Sequence, residues 1–170
     1  MKKWKLKGTK ESYHSEYVSV FDDRVLLSNG REITYARVVL KDFVSILPII
    51  KDKIVMIEIF RYPASILSLE IPSGFIDNGE NPHDCAIREL EEETGYRAGN
   101  LSRMGWFYPG TRSVRKAYLF LAQSLTKGML KPDITEQIQV KLISVNEARR
   151  QLENNRITHA PTIIALQKFL

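Results

Sequence analysis

The sequence predicts an α/β fold: a mixed β-sheet sandwiched between helices, preceded by an N-terminal antiparallel β-hairpin. Three observations lead there. Two runs rich in β-branched and aromatic residues flank a Ser28-Asn29-Gly30 turn, a strand-loop-helix segment occupies the middle of the chain, and strands followed by helices close it.

The first pair of strands is expected over Tyr17 to Leu27 and Arg31 to Leu40, joined by the tight turn. A second pair, Phe43 to Ile50 and Ile54 to Phe60, is almost wholly apolar and suits the centre of a sheet. Leu67 to Ile71 leads through Pro72-Ser73-Gly74 towards a helix over Pro82 to Thr94. Asn81 is its cap, Pro82 its first residue, Asp84 an acid in the positive first turn and Gly95 its stop. Ala86, Ile87, Leu90 and Thr94 supply an apolar face for packing. Further strands follow at Met104 to Tyr108, Ala117 to Ser124 and Gln139 to Ser144. Asn146 then caps a helix to about Asn154, and Pro161 opens a last helix bearing Ile163, Ile164, Leu166 and Leu170. No repeat or Gly/Ser/Pro-rich linker divides the chain, although the N-terminal strands, residues 1–42, read differently from 43–170.

The 170 residues suit one globular body, with 44% hydrophobic and 26% charged residues, enough of each for a core and a solvated surface. No apolar run is long enough to span a bilayer and MKKWKLKG lacks the apolar stretch of a signal peptide, so a cytoplasmic location is expected. Cys85, the single cysteine, excludes an internal disulfide and reads as a small buried residue. A net charge of +5 and a pI near 9.3 favour anionic small molecules. Nucleic acid is disfavoured as a partner, because no basic tail or recognisable binding module is present. His14, His83 and His159 are scattered and read as surface residues.

Chemistry concentrates in GFIDNGENPHDCAIRELEEETGY, Gly74 to Tyr96. On a helix, Glu89, Glu92 and Glu93 stand at i, i+3 and i+4, which places three like charges on one face at a cost of a few tenths of a kcal/mol per pair (~0.2–0.5). A divalent cation reverses the sign of that interaction, since hard cations such as Mg2+ are held by carboxylates together with substrate phosphates.

Gly74, Glu80, Arg88, Glu89, Leu90, Glu92, Glu93 and Gly95 also fall in the order and spacing of the Nudix box, GX5EX7REUXEEXGU, with Tyr96 where an aliphatic residue is usual. The chain thus resembles the Nudix hydrolases. Outside the box, FRYPASILSLEIPSG, YLFLA and ITHAPTIIALQKFL are similar to the ADP-ribose pyrophosphatase branch. The resemblance implies a Nudix fold and Mg2+-dependent hydrolysis of a nucleoside diphosphate sugar, ADP-ribose to AMP and ribose 5-phosphate, with Mn2+ as a substitute metal. It also implies a homodimer built through the N-terminal strands.

Residue by residue, it implies Glu89, Glu92 and Glu93 as metal ligands with the Ser73 carbonyl, Glu80 nearby, and Arg88 as an ion-pair partner that orients the glutamates. Arg61 matches an arginine that holds substrate phosphate, or is an ordinary strand-end cation. Glu70 matches a glutamate near the substrate, or is structural. The general base falls on the loop Lys131 to Gln137, with Glu136 ahead of Asp133 and Glu93 as the substitute. The loop Tyr108 to Lys116 departs from the branch in being basic. Arg112, Arg115 and Lys116 either meet an additional phosphate or, the preferred reading, are exposed strand-edge charges. Trp4, Tyr13 and Tyr17 either stack an adenine or pack at an interface. Two alternatives stand beside the lead: a Nudix enzyme of dinucleotides or nucleoside triphosphates, and a noncatalytic nucleotide- or RNA-binding module.

Overall fold

The computed structural model describes residues 3–131 and 137–170. It divides into two compact units, Met1–Asp42 with Tyr108–Lys116, and Phe43–Phe107 with Ala117–Leu170.

The first unit is a three-stranded antiparallel sheet of β1 (Lys5–His14), β2 (Val18–Leu26) and β3 (Glu32–Leu40) in that order. The β2–β3 hairpin turns at Ser28-Asn29-Gly30, where the Leu27 amide donates to the Arg31 carbonyl at 2.8 Å. Sequence patterning did not reveal β1: KLKGTKESYH is polar and nearly all of it is exposed, so its pairing with β2 rather than burial holds it in place. Asp23 is the buried anchor of this sheet, accepting Nε of Arg37 at 2.6 Å and a short hydrogen bond from the Thr9 hydroxyl. The basic segment Tyr108–Lys116 lies along β3, with a parallel bridge between Val38 and Ser113 and the Val38 amide donating to the Arg112 carbonyl at 2.8 Å. It thus covers part of the free edge of β3, with Arg112 exposed.

The second unit carries a seven-stranded mixed sheet. Its main path is β10 (Ile138–Ser144), β5 (Lys53–Arg61), β4 (Phe43–Ile50), β9 (Ala117–Lys127) and β8 (Tyr96–Phe107), with β6 (Ile66–Glu70) on β5 and β7 (Ser73–Phe75) on β4. β4 and β9 run parallel and the other pairs are antiparallel. β4 and β5 pair only at Ile49–Ile54 and Ile50–Lys53; beyond that point they part, and β7 and β6 bond to the edges so exposed.

Alternation along the central strands feeds two apolar clusters. Val44, Ile46, Phe120 and Ala122 pack with Cys85, Ala86 and Leu90 of helix α1 (Pro82–Thr94). Leu47, Ile54, Met56 and Leu119 pack with Ala148 of α2 (Val145–Glu153) and with Ala165 and Leu166 of α3 (Ala160–Phe169). The sheet is thus clad by α1 against one cluster and by α2 and α3 against the other.

Three local expectations need correction. Ser144, not Asn146, caps α2, its side chain accepting the Glu147 amide at 3.1 Å, because Ser144 already ends β10 in the extended conformation a cap requires. Ile87 is 42% exposed and Cys85 takes its place in the core. β8 starts at Tyr96, well before Met104, its polar stretch RAGNLSR being carried on β9 as an exposed antiparallel partner with a register shift between Arg103 and Gly105.

Candidate active site

α1 is set as its sequence requires. The Asn81 side chain accepts the amides of His83 and Asp84, both at 3.0 Å, Pro82 opens the helix, and Gly95 ends it at φ 68°, donating to the Glu91 carbonyl at 2.8 Å. With Cys85, Ala86 and Leu90 facing the core, the remaining turns bring Arg88, Glu89, Glu92 and Glu93 up to the loop that runs from β7 to the helix.

Arg88 is the hub of that group. Its Nε and Nη2 donate to the two Glu80 oxygens, each at 2.9 Å, while Nη1 donates to Glu89 Oε1 at 2.6 Å and Glu92 Oε2 at 3.0 Å. Nη2 also reaches the Phe75 carbonyl at 3.1 Å, which ties the helix to β7. Hydrogen bonds from Arg88 hold the Glu80 carboxyl down to about 2, against the opposing effect of burial, and the same contacts push the guanidinium above its ordinary range. Glu80 Oε2 further accepts the Asp77 amide at 3.0 Å, closing the loop ahead of the helix.

The other acids are held by the backbone. Glu93 is 1% exposed, and its Oε2 accepts the Ser73 amide at 2.8 Å. The Glu89 carboxylate lies over Gly74: a Cβ built there would stand 1.9 Å from Glu89 Cδ. Gly74 is needed for space and not for a left-handed backbone. Cys85 is fully buried and offers its Sγ–H to the Phe75 carbonyl at 3.4 Å; burial first, then Glu89 and Glu80, push its thiol up, so it is no nucleophile.

The residues proposed from sequence as metal ligands, Ser73, Glu89, Glu92 and Glu93, thus come together with Glu80 and Arg88. Among the described residues no three His, Cys, Asp or Glu side chains already converge in a metal-holding arrangement, because Glu89 and Glu92 each turn an oxygen to Arg88. The donor set is nevertheless all carboxylate and carbonyl oxygen, the chemistry of a hard divalent cation, and the glycine cradle leaves the Glu89 carboxylate unobstructed by a side chain below it.

A second polar group lies on the same unit. Arg61 makes a bidentate pair with Glu70, Nε to Oε1 at 3.0 Å and Nη2 to Oε2 at 2.7 Å. Glu70 is buried and Arg61 about two-fifths exposed. Burial pushes the Glu70 carboxyl up, but the Arg61 hydrogen bonds and the charges of His159 and Arg61 outweigh it and leave it below its usual value. The two readings of Arg61 and Glu70 meet here: they are partners, and the arginine remains partly open to solvent.

His159 is the residue the sequence concealed. Expected at the surface, it is mostly enclosed, with Nδ1 3.2 Å from Glu70 Oε2 and 2.9 Å from Thr162 Oγ1. The one signal available was its place just before Ala160-Pro161, where a helix cap is normally Ser, Thr, Asp or Asn. Of the remaining candidates, Arg112 lies in the first unit, 4.6 Å above the Tyr35 ring with Nη1 3.4 Å from the Ala36 carbonyl. In that unit too, Trp4 packs edge-on against Tyr35, and Trp4, Tyr13 and Tyr17 are all exposed. Glu136 and Asp133 lie outside the described residues.

The NUDIX domain family model matches residues 40–166. The chain belongs to the Nudix family. Among the relatives of this Nudix chain, the ADP-ribose pyrophosphatase of Bacillus subtilis is 31% identical over 160 residues, covering 91% of this chain and 86% of that protein. The methanol dehydrogenase activator of Bacillus methanolicus is 32% identical over 166 residues, covering 94% and 88%. The crystal structure of an ADP compounds hydrolase shares the fold with a TM-score of 0.89 at 24% identity, over 99% of this chain and 93% of that one. Matched by the family model over residues 40–166 and by an ADP-ribose pyrophosphatase over 91% of its length, the chain is an enzyme of the Nudix pyrophosphatase group. No helix among its described residues is long and apolar enough to cross a membrane.

Proposed function

We propose that this enzyme hydrolyses the pyrophosphate bond of a nucleoside diphosphate sugar with Mg2+, its substrate being ADP-ribose and its products AMP and ribose 5-phosphate. The observation that carries the reading is the gathering of Glu80, Glu89 and Glu92 by Arg88, beside Glu93 on the Ser73 amide and above Gly74. Glu89, Glu92, Glu93 and the Ser73 carbonyl would hold the metal. When bound, a divalent cation neutralises phosphate charge and makes a coordinated water more acidic.

The chain's own groups do the rest. Arg88 relieves repulsion among the acids and fixes their orientation. Arg61, held along one edge by Glu70, offers a planar fork to a pair of phosphate oxygens. Glu136 takes the proton of the attacking water, with Glu93 as the alternative; the tight bond of Glu93 to the Ser73 amide suits it better to holding than to accepting a proton. Arg112 is assigned to substrate binding, and residues 1–42 are assigned to the contact that makes a homodimer acting in the cytoplasm. The exposed Trp4, Tyr13 and Tyr17 support that assignment.

Purified protein with Mg2+ or Mn2+ and a panel of ADP-ribose, GDP-mannose, NADH, diadenosine polyphosphates and nucleoside triphosphates tests the proposal. AMP and ribose 5-phosphate from ADP-ribose, at the highest kcat/KM of the panel, is the expected result. Preference for a dinucleotide or a triphosphate would refute the substrate, and metal-independent tight binding without turnover would refute the enzyme.

A further inference from the structure

The first turn of α3 meets the corner between β6 and β7 through a short polar chain. The Ile71 amide donates to Thr162 Oγ1 at 3.0 Å; Thr162 Oγ1 is 2.9 Å from His159 Nδ1; and Nδ1 is 3.2 Å from Glu70 Oε2, whose carboxylate grips Arg61. Ile71 and Thr162 are fully buried, Glu70 nearly so, and the His159 side chain is 21% exposed.

His159 occupies the cap position of α3, yet its side chain makes no capping bond. Histidine is a poor cap, and here Nδ1 meets the Thr162 hydroxyl and the Glu70 carboxylate instead of a helix amide. Nδ1 thus stands between two oxygens: Thr162 Oγ1, its hydrogen-bond partner, and Glu70 Oε2, within ion-pair reach. Burial pushes the imidazole below its ordinary value despite the attraction of Glu70.

We propose that His159 is a positioning residue: from Nδ1, 3.2 Å from Oε2, it holds the Glu70 carboxylate, which in turn fixes the plane of the Arg61 guanidinium for a substrate phosphate. The inference rests on the placing of Arg61 at the substrate. A guanidinium held on both Nε and Nη2 presents its fork in one plane, and a carboxylate that can rotate releases that plane. The consequence is borne by substrate affinity, since Arg61 grips a phosphate in ground state and transition state alike.

The test is a cycle of H159S and R61Q, assayed with ADP-ribose and Mg2+ alongside thermal melting. Serine is a better cap than histidine and too short to reach Glu70, so the helix keeps its start while the contact is lost. Loss of that polar contact to a charged group corresponds to a KM about tenfold higher, with kcat within about twofold of the parent. In the R61Q background H159S should raise KM no further. H159N, whose amide nitrogen takes the place of Nδ1, should return KM to within about threefold of the parent. An unchanged KM in H159S, the same fold-increase in both backgrounds, or an H159N as impaired as H159S overturns the proposal. If R61Q alone leaves KM unchanged, the placing of Arg61 at the substrate falls and takes this inference with it. If R61Q raises KM and H159S does not, only the role of His159 falls.

Discussion

Gly74→Ala separates the stability of this fold from its chemistry. The Gly74 backbone is one that alanine tolerates, so the added methyl group acts by contact alone. It would stand 1.9 Å from Glu89 Cδ, and the carboxyl would have to retreat by about 1.5 Å to reach an ordinary contact of 3.4 Å. The atoms that must yield are the far end of a flexible side chain, not backbone, so G74A should fold and melt within about 3 °C of the parent. Displacement of a ligand carboxylate by about 1.5 Å, however, exceeds the tolerance of an organised site, where about 1 Å costs on the order of 100-fold. Hydrolysis of ADP-ribose followed across a Mg2+ titration should show kcat/KM down by about 100-fold or more and a higher Mg2+ requirement. An active G74A with an unchanged Mg2+ curve would refute the reasoning that Glu89 is a ligand placed by its glycine.

R88M, measured without metal in the presence of a chelator, should lose about 2–4 kcal/mol, since it leaves Glu80, Glu89 and Glu92 facing one another, and added Mg2+ should recover more melting temperature than it adds to the parent. Equal Mg2+ stabilisation of both proteins would count against shared oxygens. E136Q should lower kcat by about two orders of magnitude while leaving KM near the parent value; near-normal turnover moves the base to Glu93. For pH, the Arg88 hydrogen bonds hold the Glu80 carboxyl down to about 2 in the folded chain, against an ordinary 4.5. A depressed carboxyl contributes stability that is present above about 4.5 and is lost as pH falls towards 2. The stability gap between the parent and E80Q should therefore be full at pH 7 and close across that acid window, as urea titrations at each pH would reveal; a gap that widened on acidification would contradict the pairing.

Much of this is legible in the sequence alone. α1 could be bounded to the residue because its signals are local: Asn81, Pro82 and Gly95 each act through their own backbone. The acid spacing was likewise a property of the helix alone. Partners distant in the chain were not legible. Arg61 and Glu70 could each be singled out, but their pairing depends on the antiparallel register of β5 and β6, and that of His159 with Glu70 on where α3 docks. β1 and the start of β8 failed for a different reason. Their side chains are mostly exposed, so no apolar alternation was imposed on them, and pairing to β2 and β9 decides their conformation.

The manner in which Arg88 divides its hydrogen bonds bears on how one site can serve both with and without a cation. Two of its nitrogens grip Glu80 in a fork, whereas Glu89 and Glu92 share the third, Nη1. Glu80 is thus the anchor, held by two nitrogens, whereas each proposed ligand is held by one, Glu89 at 2.6 Å and Glu92 at 3.0 Å, and can turn an oxygen to a metal without unseating the guanidinium. Removing the anchor reverses the preference. In E80Q the guanidinium loses its strongest counter-charge and should settle fully onto Glu89 and Glu92, competing with Mg2+ for the same oxygens. A neutral amide would exchange a charge-assisted pair for an ordinary hydrogen bond, a loss of about 1–2 kcal/mol, which corresponds to a Mg2+ requirement raised by about tenfold. Saturating Mg2+ should then return kcat towards the parent value. Isothermal titration with Mg2+ alone reads the same shift without turnover, and an E80Q that bound Mg2+ as tightly as the parent would show that Glu80 holds a metal-independent structure rather than keeping Arg88 off the ligands.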